Sequence, residues 1–309
     1  MRPRAILIAG PTASGKSALA LALAGRLGGT IINADSMQVY RELATLTARP
    51  DAGDLARAPH RLYGHVAGAE AFSVGRWLAE AEREISTCVA AGGMPIVTGG
   101  TGLYFKALLE GIAPVPEIPE DIRAHWRARA AVIGPDALHG ELQRRDPVMA
   151  GRLRPSDPQR ITRALEVIAA TGRSLADWQE TPGRPLLPVN ATLRLVVATE
   201  RETLRARCDS RFDAMLEAGA LGEVAALSAL ALDPARPIMR ALGVRPLAQH
   251  VRGELSLAEA TIRAKAETRQ YAKRQLTWLR GHMGAWTWLD TQQPGSEIGR
   301  VFSIIDRSH

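Results

Sequence analysis

The sequence predicts an α/β fold, a parallel sheet with helices on both faces, interrupted by an all-helical insertion. Three observations carry that expectation. The apolar run Ala5 to Ala9 leads straight into the glycine-bounded segment Gly10-Pro11-Thr12-Ala13-Ser14-Gly15-Lys16-Ser17 and then into the helical pattern Ala18 to Leu27. Short buried-strand patterns recur at Thr30 to Asn33, Pro95 to Thr98 and Leu193 to Ala198, with helix-patterned sequence between them, the alternation expected of a parallel sheet. That rhythm stops where prolines cluster at 114, 116 and 119 and again at 182, 185 and 188, and the intervening residues are helix-patterned and arginine-rich without a β-type run. The expected division is residues 1–115 with 191–309 for the sheet domain and 116–190 for the insertion.

A chain of 309 residues, 46% of them hydrophobic, has ample material for a core. The charge balance is 39 Lys+Arg against 32 Asp+Glu, a net +7. Such an excess suits a polyanionic partner, or it reflects a generally arginine-rich proteome; composition leaves both open. Cys88 and Cys208 are the only cysteines, too few for a disulfide framework or a cysteine-based zinc site, so a reducing cytoplasm is expected. No run approaches the roughly 18 apolar residues of a membrane span, and the N-terminal apolar run enters the glycine loop directly, as a core strand and not a signal peptide.

Residues Gly10 to Ser17 have the spacing G-x-x-x-x-G-K-[ST], which makes the predicted core P-loop NTPase-like. Gly10 and Gly15 permit a backbone wrap in which successive N–H groups and the next helix N-terminus converge on one phosphate. Lys16 adds a mobile cation and Ser17 a hydroxyl suited to Mg²⁺. The second strand delivers Asp35-Ser36-Met37-Gln38 at its carboxyl end, the rim on which open parallel sheets bind ligands. An aspartate there is either a cap or turn former, or a functional carboxylate beside Ser36 and Gln38. Residues 41 to 72 lack periodicity and read as a long surface connection. Phe72 to Ala91 then reads as a helix capped by Ser73 and ended by Gly92-Gly93.

The third strand ends in Gly99-Gly100-Thr101-Gly102, where an ATP- or GTP-hydrolysing enzyme usually has an aspartate for Mg²⁺. The turn either brings backbone N–H groups and the Thr101 hydroxyl to a reacting group, or is a tight turn without a ligand. In the insertion, Asp157 and Pro158 mark a helix start. Arg160 and Arg163 share a face, either as a solvated basic surface or as contacts to a phosphate backbone. The sheet resumes at Leu193; a helix from Leu204 carries Arg211 toward the phosphate rim, and Trp286 to Leu289 reads as a last strand. The long helix Leu257 to Arg280 alternates cations, amides and aromatics around Arg269, Gln270, Lys273 and Arg274, which suits single-stranded RNA or a salt-bridged amphipathic helix.

Gly10 to Ser17, Asp35 to Tyr40, Gly99 to Tyr104, Asp157 to Val167 and Thr268 to Arg280 occur in an order that resembles the bacterial tRNA dimethylallyltransferases (tRNA isopentenyltransferases) over nearly the whole chain. The resemblance implies transfer of a dimethylallyl group from dimethylallyl diphosphate to N6 of the adenosine just 3′ of the anticodon. It implies that Gly10, Pro11, Thr12, Ala13, Ser14, Gly15, Lys16 and Ser17 bind the diphosphate, a loop of the kind that also binds ATP, with Ser17 reaching Mg²⁺. It makes Asp35 the general base, Thr101 a contact at the reacting end, and Lys16 and Arg211 stabilisers of the leaving group. Asp35, Ser36, Met37, Gln38, Thr101, Arg123, Gln159, Arg160, Ile161, Thr162 and Arg163 would meet the tRNA anticodon stem-loop, as would the exposed face of the long helix. A monomer without membrane attachment is expected. The chain departs from the family pattern at Arg49, Arg61 and Gln249-His250. Two other readings share the glycine loop: a kinase of a small metabolite, and a non-enzymatic RNA-binding protein with a degenerate nucleotide site.

Overall fold

The computed structural model describes residues 3–291 and 294–306. The chain forms two compact units, residues 1–109 with 186–309, and residues 110–185. Within the second unit the entering and leaving segments lie against each other at Gly111 and Gly183, where a side chain on either would strike the other's backbone. The first joint therefore falls just before Pro114 and the second within the cluster Pro182 to Pro188, each about five residues earlier in the chain than the division expected from the sequence.

The first unit holds a sheet of six strands, β1 (Ala5–Ala9), β2 (Gly29–Asn33), β3 (His60–Arg61), β4 (Met94–Gly99), β5 (Thr192–Ala198) and β6 (Thr287–Asp290). Every pairing is parallel and the order is β3-β2-β4-β1-β5-β6. Strand β1 is central, with Ala9 level with Gly99 of β4 and Val196 of β5. Its side chains alternate as a strand buried on both faces requires. Ala5, Leu7 and Ala9 join Trp77, Phe105 and Leu279 on one face, while Ile6 and Ile8 join Leu23, Ile96 and Val301 on the other.

Helices α1 (Lys16–Leu27), α2 (Ala52–Arg57), α3 (Val74–Ala90) and α4 (Gly102–Glu110) belong to the first half of this unit. In the second unit lie α5 (Glu120–Arg145), α6 (Pro147–Arg152), α7 (Pro158–Thr171) and α8 (Leu175–Glu180). The first unit then continues with α9 (Arg201–Glu217), α10 (Ala220–Ala229), α11 (Val244–Val251), α12 (Leu257–His282) and α13 (Pro294–Asp306). The predicted caps are in place: Ser73 accepts from the Arg76 N–H, and Asp157 from the Arg160 N–H with Pro158 in the first turn. Helix α5 breaks at Gly134, whose φ of 74° and ψ of 168° precede Pro135. The second unit packs Trp126, Leu138, Leu142, Ile161 and Leu165 into a core of its own.

Residues 41 to 72 correct the expectation of a surface connection. They supply α2 and the edge strand β3, and they bury Leu43, Leu46 and Val66 against Phe212, Val224, Leu247 and Ala260. Buried loop backbone needs partners for its amides, and one carboxylate provides them. Glu223 accepts from the N–H groups of Ala44, Thr45 and Leu46 at 3.1, 2.7 and 3.0 Å.

Candidate active site

The loop after β1 wraps as its sequence requires. Ala13 and Gly15 adopt left-handed φ values of 62° and 91°, and the alternation around Ser14 turns neighbouring N–H groups toward one concavity at the start of α1. A β-carbon at Gly10 would sit 2.5 Å from the Val197 carbonyl oxygen and 2.6 Å from Ser14 Oγ, so only glycine lets the loop lie on the sheet edge. Ser14 is fully buried, and its hydroxyl has no partner among the described residues.

A second layer holds the loop. Thr291, beyond β6, donates its hydroxyl to the Ser14 carbonyl at 2.9 Å, and Arg207 donates to the Thr291 hydroxyl and carbonyl at 3.0 and 3.1 Å. The Lys16 ammonium donates to the Pro11 carbonyl at 3.2 Å. Burial lowers its pKa to about 8, with Asp35 opposing that shift and Arg211 adding to it. Burial likewise holds Arg211 below its ordinary value, again against the pull of Asp35. Asp35 thus faces the phosphate loop and Arg211 across one rim, and it helps burial raise Tyr271 to about 12.

Asp35 is held from beneath. The Asn33 amide accepts from the Asp35 N–H at 2.8 Å and donates to the carbonyls of Asp35 and Leu62 at 2.9 and 3.0 Å. Trp77, stacked on Tyr104 at 4.1 Å, donates its indole N–H to the Asn33 carbonyl at 2.8 Å. Asp35 Oδ1 accepts from the Met37 N–H at 2.9 Å. The Thr101 hydroxyl accepts from the Ser36 N–H at 3.0 Å and donates to the Ser36 hydroxyl at 3.3 Å, and the Thr101 N–H reaches the Ala34 carbonyl at 3.1 Å. Gly99 is required because a β-carbon there would run into the Ala34 backbone. The second glycine turn is thereby pressed onto the strand end that carries Asp35.

The structure brings Gly10 to Ser17, Asp35, Ser36, Thr101 and Arg211 to one rim of the sheet unit. Other predicted residues of this unit have different surroundings. Gln38 donates to the carbonyls of Thr47 and Ala48 at 2.9 and 2.8 Å, and Met37 packs into the apolar cluster beneath residues 41 to 72. Arg269 is paired with Asp209 at 2.6 Å. Gln270, Lys273 and Arg274 are exposed and, with Thr277, Trp278 and His282, line a hollow of about 570 Å³ in which the Trp278 and His282 rings stack at 4.2 Å.

In the helical unit, Arg123 lies 3.8 Å from Glu120, and the exposed Arg160 lies 3.4 Å from Asp157. Arg163 is 3.4 Å from Glu166, Thr162 donates to the Pro158 carbonyl at 2.7 Å, and Gln159 is exposed. Ile161 corrects the expectation of an RNA contact, because its side chain is wholly inside the core of that unit.

Sequence reasoning missed Asn33, Arg207, Thr291 and Gln275. Gln275 is 7% exposed; its carbonyl accepts from the Thr12 N–H and its amide donates to the Gly100 carbonyl, both at 2.9 Å. A polar residue on the apolar stripe of a long helix is the signal that could have singled it out. No group of three or more His, Cys, Asp or Glu side chains suits a metal among the described residues. The exposed Ser17 at the start of α1 instead fits a hard cation that keeps its waters and is shared with a bound phosphate.

Fold and loop together define a P-loop α/β protein whose phosphate cradle faces a carboxylate. Residues 38–282 match the family model described as IPP transferase, and residues 3–65 the model described as Isopentenyl transferase. The chain belongs to the IPP transferase family. It is 54% identical over 304 residues to the tRNA dimethylallyltransferase of Parvibaculum lavamentivorans, covering 98% of this chain and 96% of that one. It is 58% identical over 276 residues to that of Rhodospirillum rubrum, covering 89% and 84%. Among solved structures, the tRNA isopentenylpyrophosphate transferase of Bacillus halodurans superposes with a TM-score of 0.69 at 31% identity, covering 98% and 96%. A eukaryotic dimethylallyltransferase acting on tRNA superposes at 0.81 with 28% identity, covering 96% and 76%.

Proposed function

We propose that this protein transfers the dimethylallyl group of dimethylallyl diphosphate to N6 of the adenosine immediately 3′ of the anticodon in tRNA, releasing diphosphate. The observation that carries the reading is the shared rim: an anion cradle faces Asp35 while β4 ends in Gly99-Gly100-Thr101 and not in a metal-holding aspartate. A site built this way is suited to losing a diphosphate, not to moving a phosphoryl group.

The adenine amine is a weak nucleophile because its lone pair is delocalised into the ring. A carboxylate at Asp35 accepting its hydrogen bond raises electron density on nitrogen as the new bond forms and takes the proton afterwards. The departing diphosphate gathers negative charge, which Lys16, Arg211 and the loop N–H groups stabilise more in the transition state than before it. Thr101, bonded to Ser36, lines the reacting end. Ser17 would hold a Mg²⁺ ion, which supplies further charge neutralisation to the diphosphate. The base must leave its stack to reach Asp35. The exposed face of α12 at Gln270, Lys273 and Arg274 offers cations and an aromatic stack to the RNA, and Gln159, Arg160 and Arg163 on α7, with Arg123 on α5, contact the anticodon stem-loop. Two buried, unpaired cysteines suit a reducing cytoplasm, and among the described residues no helix is long and apolar enough to cross a membrane.

The test is mass analysis of a tRNA anticodon arm after incubation with the protein, Mg²⁺ and dimethylallyl diphosphate. The expected product carries one added C₅H₈ unit on that adenosine. An unmodified arm, or phosphoryl transfer from labelled ATP in its place, would overturn the assignment.

A further inference from the structure

Helix α12 meets both glycine turns of the site at successive positions of one face. Ala272 belongs, with Leu204 and Cys208, to the cluster against which Ala13 of the phosphate loop packs, Gln275 bonds Thr12 and Gly100, and the Trp278 ring lies against Gly102. The middle contact differs in kind. It joins two loops 88 residues apart through a single side-chain amide, with both bonds at 2.9 Å. Chemistry fixes the orientation of that amide: the Thr12 N–H can only donate and the Gly100 carbonyl can only accept, so Oε1 faces the first and Nε2 the second. Neither neighbour in chemistry can do the same. Glutamate lacks the donor, and asparagine is a methylene short. Glycine at 100 is part of the arrangement, since a β-carbon there would run into Gln275 Nε2.

The bridge lies between the two halves of the site. On one side is the cradle that holds the leaving group. On the other, Gly100 leads directly to Thr101, whose backbone and hydroxyl bond Ala34 and Ser36 on either side of Asp35. We propose that Gln275 is a positioning residue that sets the spacing between the diphosphate cradle and the Asp35–Thr101 pair, and that it withdraws the Thr12 N–H from the anion so that the remaining loop amides bind it. The proposal rests on the transfer reaction inferred above. Displacement in line is sensitive to such spacing, because an error of about 1 Å in a reacting distance can cost about a hundredfold in rate.

The experiment measures single-turnover transfer from saturating dimethylallyl diphosphate to a saturating anticodon-arm RNA, and separately the calorimetric Kd for inorganic diphosphate, in wild type, Gln275→Leu and Gln275→Glu. For Gln275→Leu the expected result is a rate at least about tenfold lower with a diphosphate Kd within about threefold of wild type, a split that general loosening of the fold does not produce. Gln275→Glu at pH 8 is expected to be as slow, since a carboxylate cannot donate to the Gly100 carbonyl. Protonated, it regains one donor and one acceptor, so its rate relative to wild type rises as pH falls toward about 5 while the Gln275→Leu ratio stays flat. Wild-type rates in Gln275→Leu, equal losses of rate and diphosphate affinity, or a flat ratio for Gln275→Glu would overturn the proposal. Should Gln275→Leu fail to fold, the pH response of Gln275→Glu decides alone. A wild type that binds diphosphate but transfers nothing overturns the functional reading, and this proposal with it, and is recognised by the wild-type arm itself.

Discussion

Asn33 holds Asp35 by both ends of one residue, accepting from its N–H at 2.8 Å and donating to its carbonyl at 2.9 Å. The carboxylate proposed to act as base is thus fixed by a wholly buried amide two residues before it. Asn33→Ala leaves the Asp35 N–H and the Asp35 and Leu62 carbonyls without that partner, and unsatisfied buried groups of this kind cost about 1–3 kcal/mol. Urea denaturation should show a loss in that range. Single-turnover transfer, measured well below the unfolding midpoint, should fall by more than the folded fraction does. A variant that is destabilised yet transfers normally would confine Asn33 to a folding role.

Asp35→Asn is a cleaner test of the base than Asp35→Ala, because it retains an oxygen for the Met37 N–H, now at 2.9 Å. General-base catalysis is worth about 10²–10⁴-fold, so transfer should drop by that factor. Binding of the anticodon arm, followed by filter retention, should change little. Near-normal single-turnover transfer would remove Asp35 from the role.

Much of this site was legible in the sequence for a physical reason. A phosphate loop is a local object: its glycines, lysine and serine lie within eight residues and specify their own backbone. Strands β1, β2, β4 and β5 announced themselves because inner strands of a parallel sheet are short, dense apolar runs, while the edge strand β6, with one buried residue of four, showed only as the apolar residues between Trp286 and Leu289. What the sequence hid was non-local or aperiodic. Strand β3 is two residues long, and its loop is stabilised by Glu223 from a helix far along the chain. Thr291 and Gln275 reach the phosphate loop across 277 and 263 residues, so no spacing rule points to them. Ile161 enters the expected RNA contacts only as part of the block Gln159 to Arg163 that the family resemblance implies; the helical period that buries it with Leu165 is the better guide.

Lys16 gives the site a pH dependence whose sign is fixed. Burial lowers its pKa to about 8, so its positive charge is present below that value and is lost as pH rises through it. Affinity for inorganic diphosphate should therefore weaken between about pH 7 and pH 9.5, with the midpoint displaced upward in the complex because the bound anion favours the ammonium. Lys16→Met should bind more weakly at pH 7 and lose this dependence; comparing the two proteins by calorimetry cancels the titration of the ligand itself. In the free protein, the contribution of Lys16 to stability moves the opposite way. It rises from about pH 8 toward 10.5, because there the unfolded chain still binds a proton that the folded chain has released.

Thr291 tests whether the phosphate loop is held from outside its own sequence. Its hydroxyl donates to the Ser14 carbonyl at 2.9 Å and accepts from Arg207 at 3.0 Å, while its methyl carbon would lie 3.6 Å from a β-carbon at Gly15. Thr291→Val keeps the shape and removes the hydroxyl, leaving the Ser14 carbonyl without that donor, so a destabilisation of about 1–2 kcal/mol is expected. Because Ser14 lies between the two left-handed residues of the cradle, the loosened carbonyl should also weaken diphosphate binding, by about three- to tenfold on the scale of one lost hydrogen bond. Thr291→Ser, which retains the hydroxyl and gives up only the methyl, should bind diphosphate close to wild type. Equal affinities for Thr291→Val and Thr291→Ser would show that the hydroxyl braces the fold without shaping the anion site.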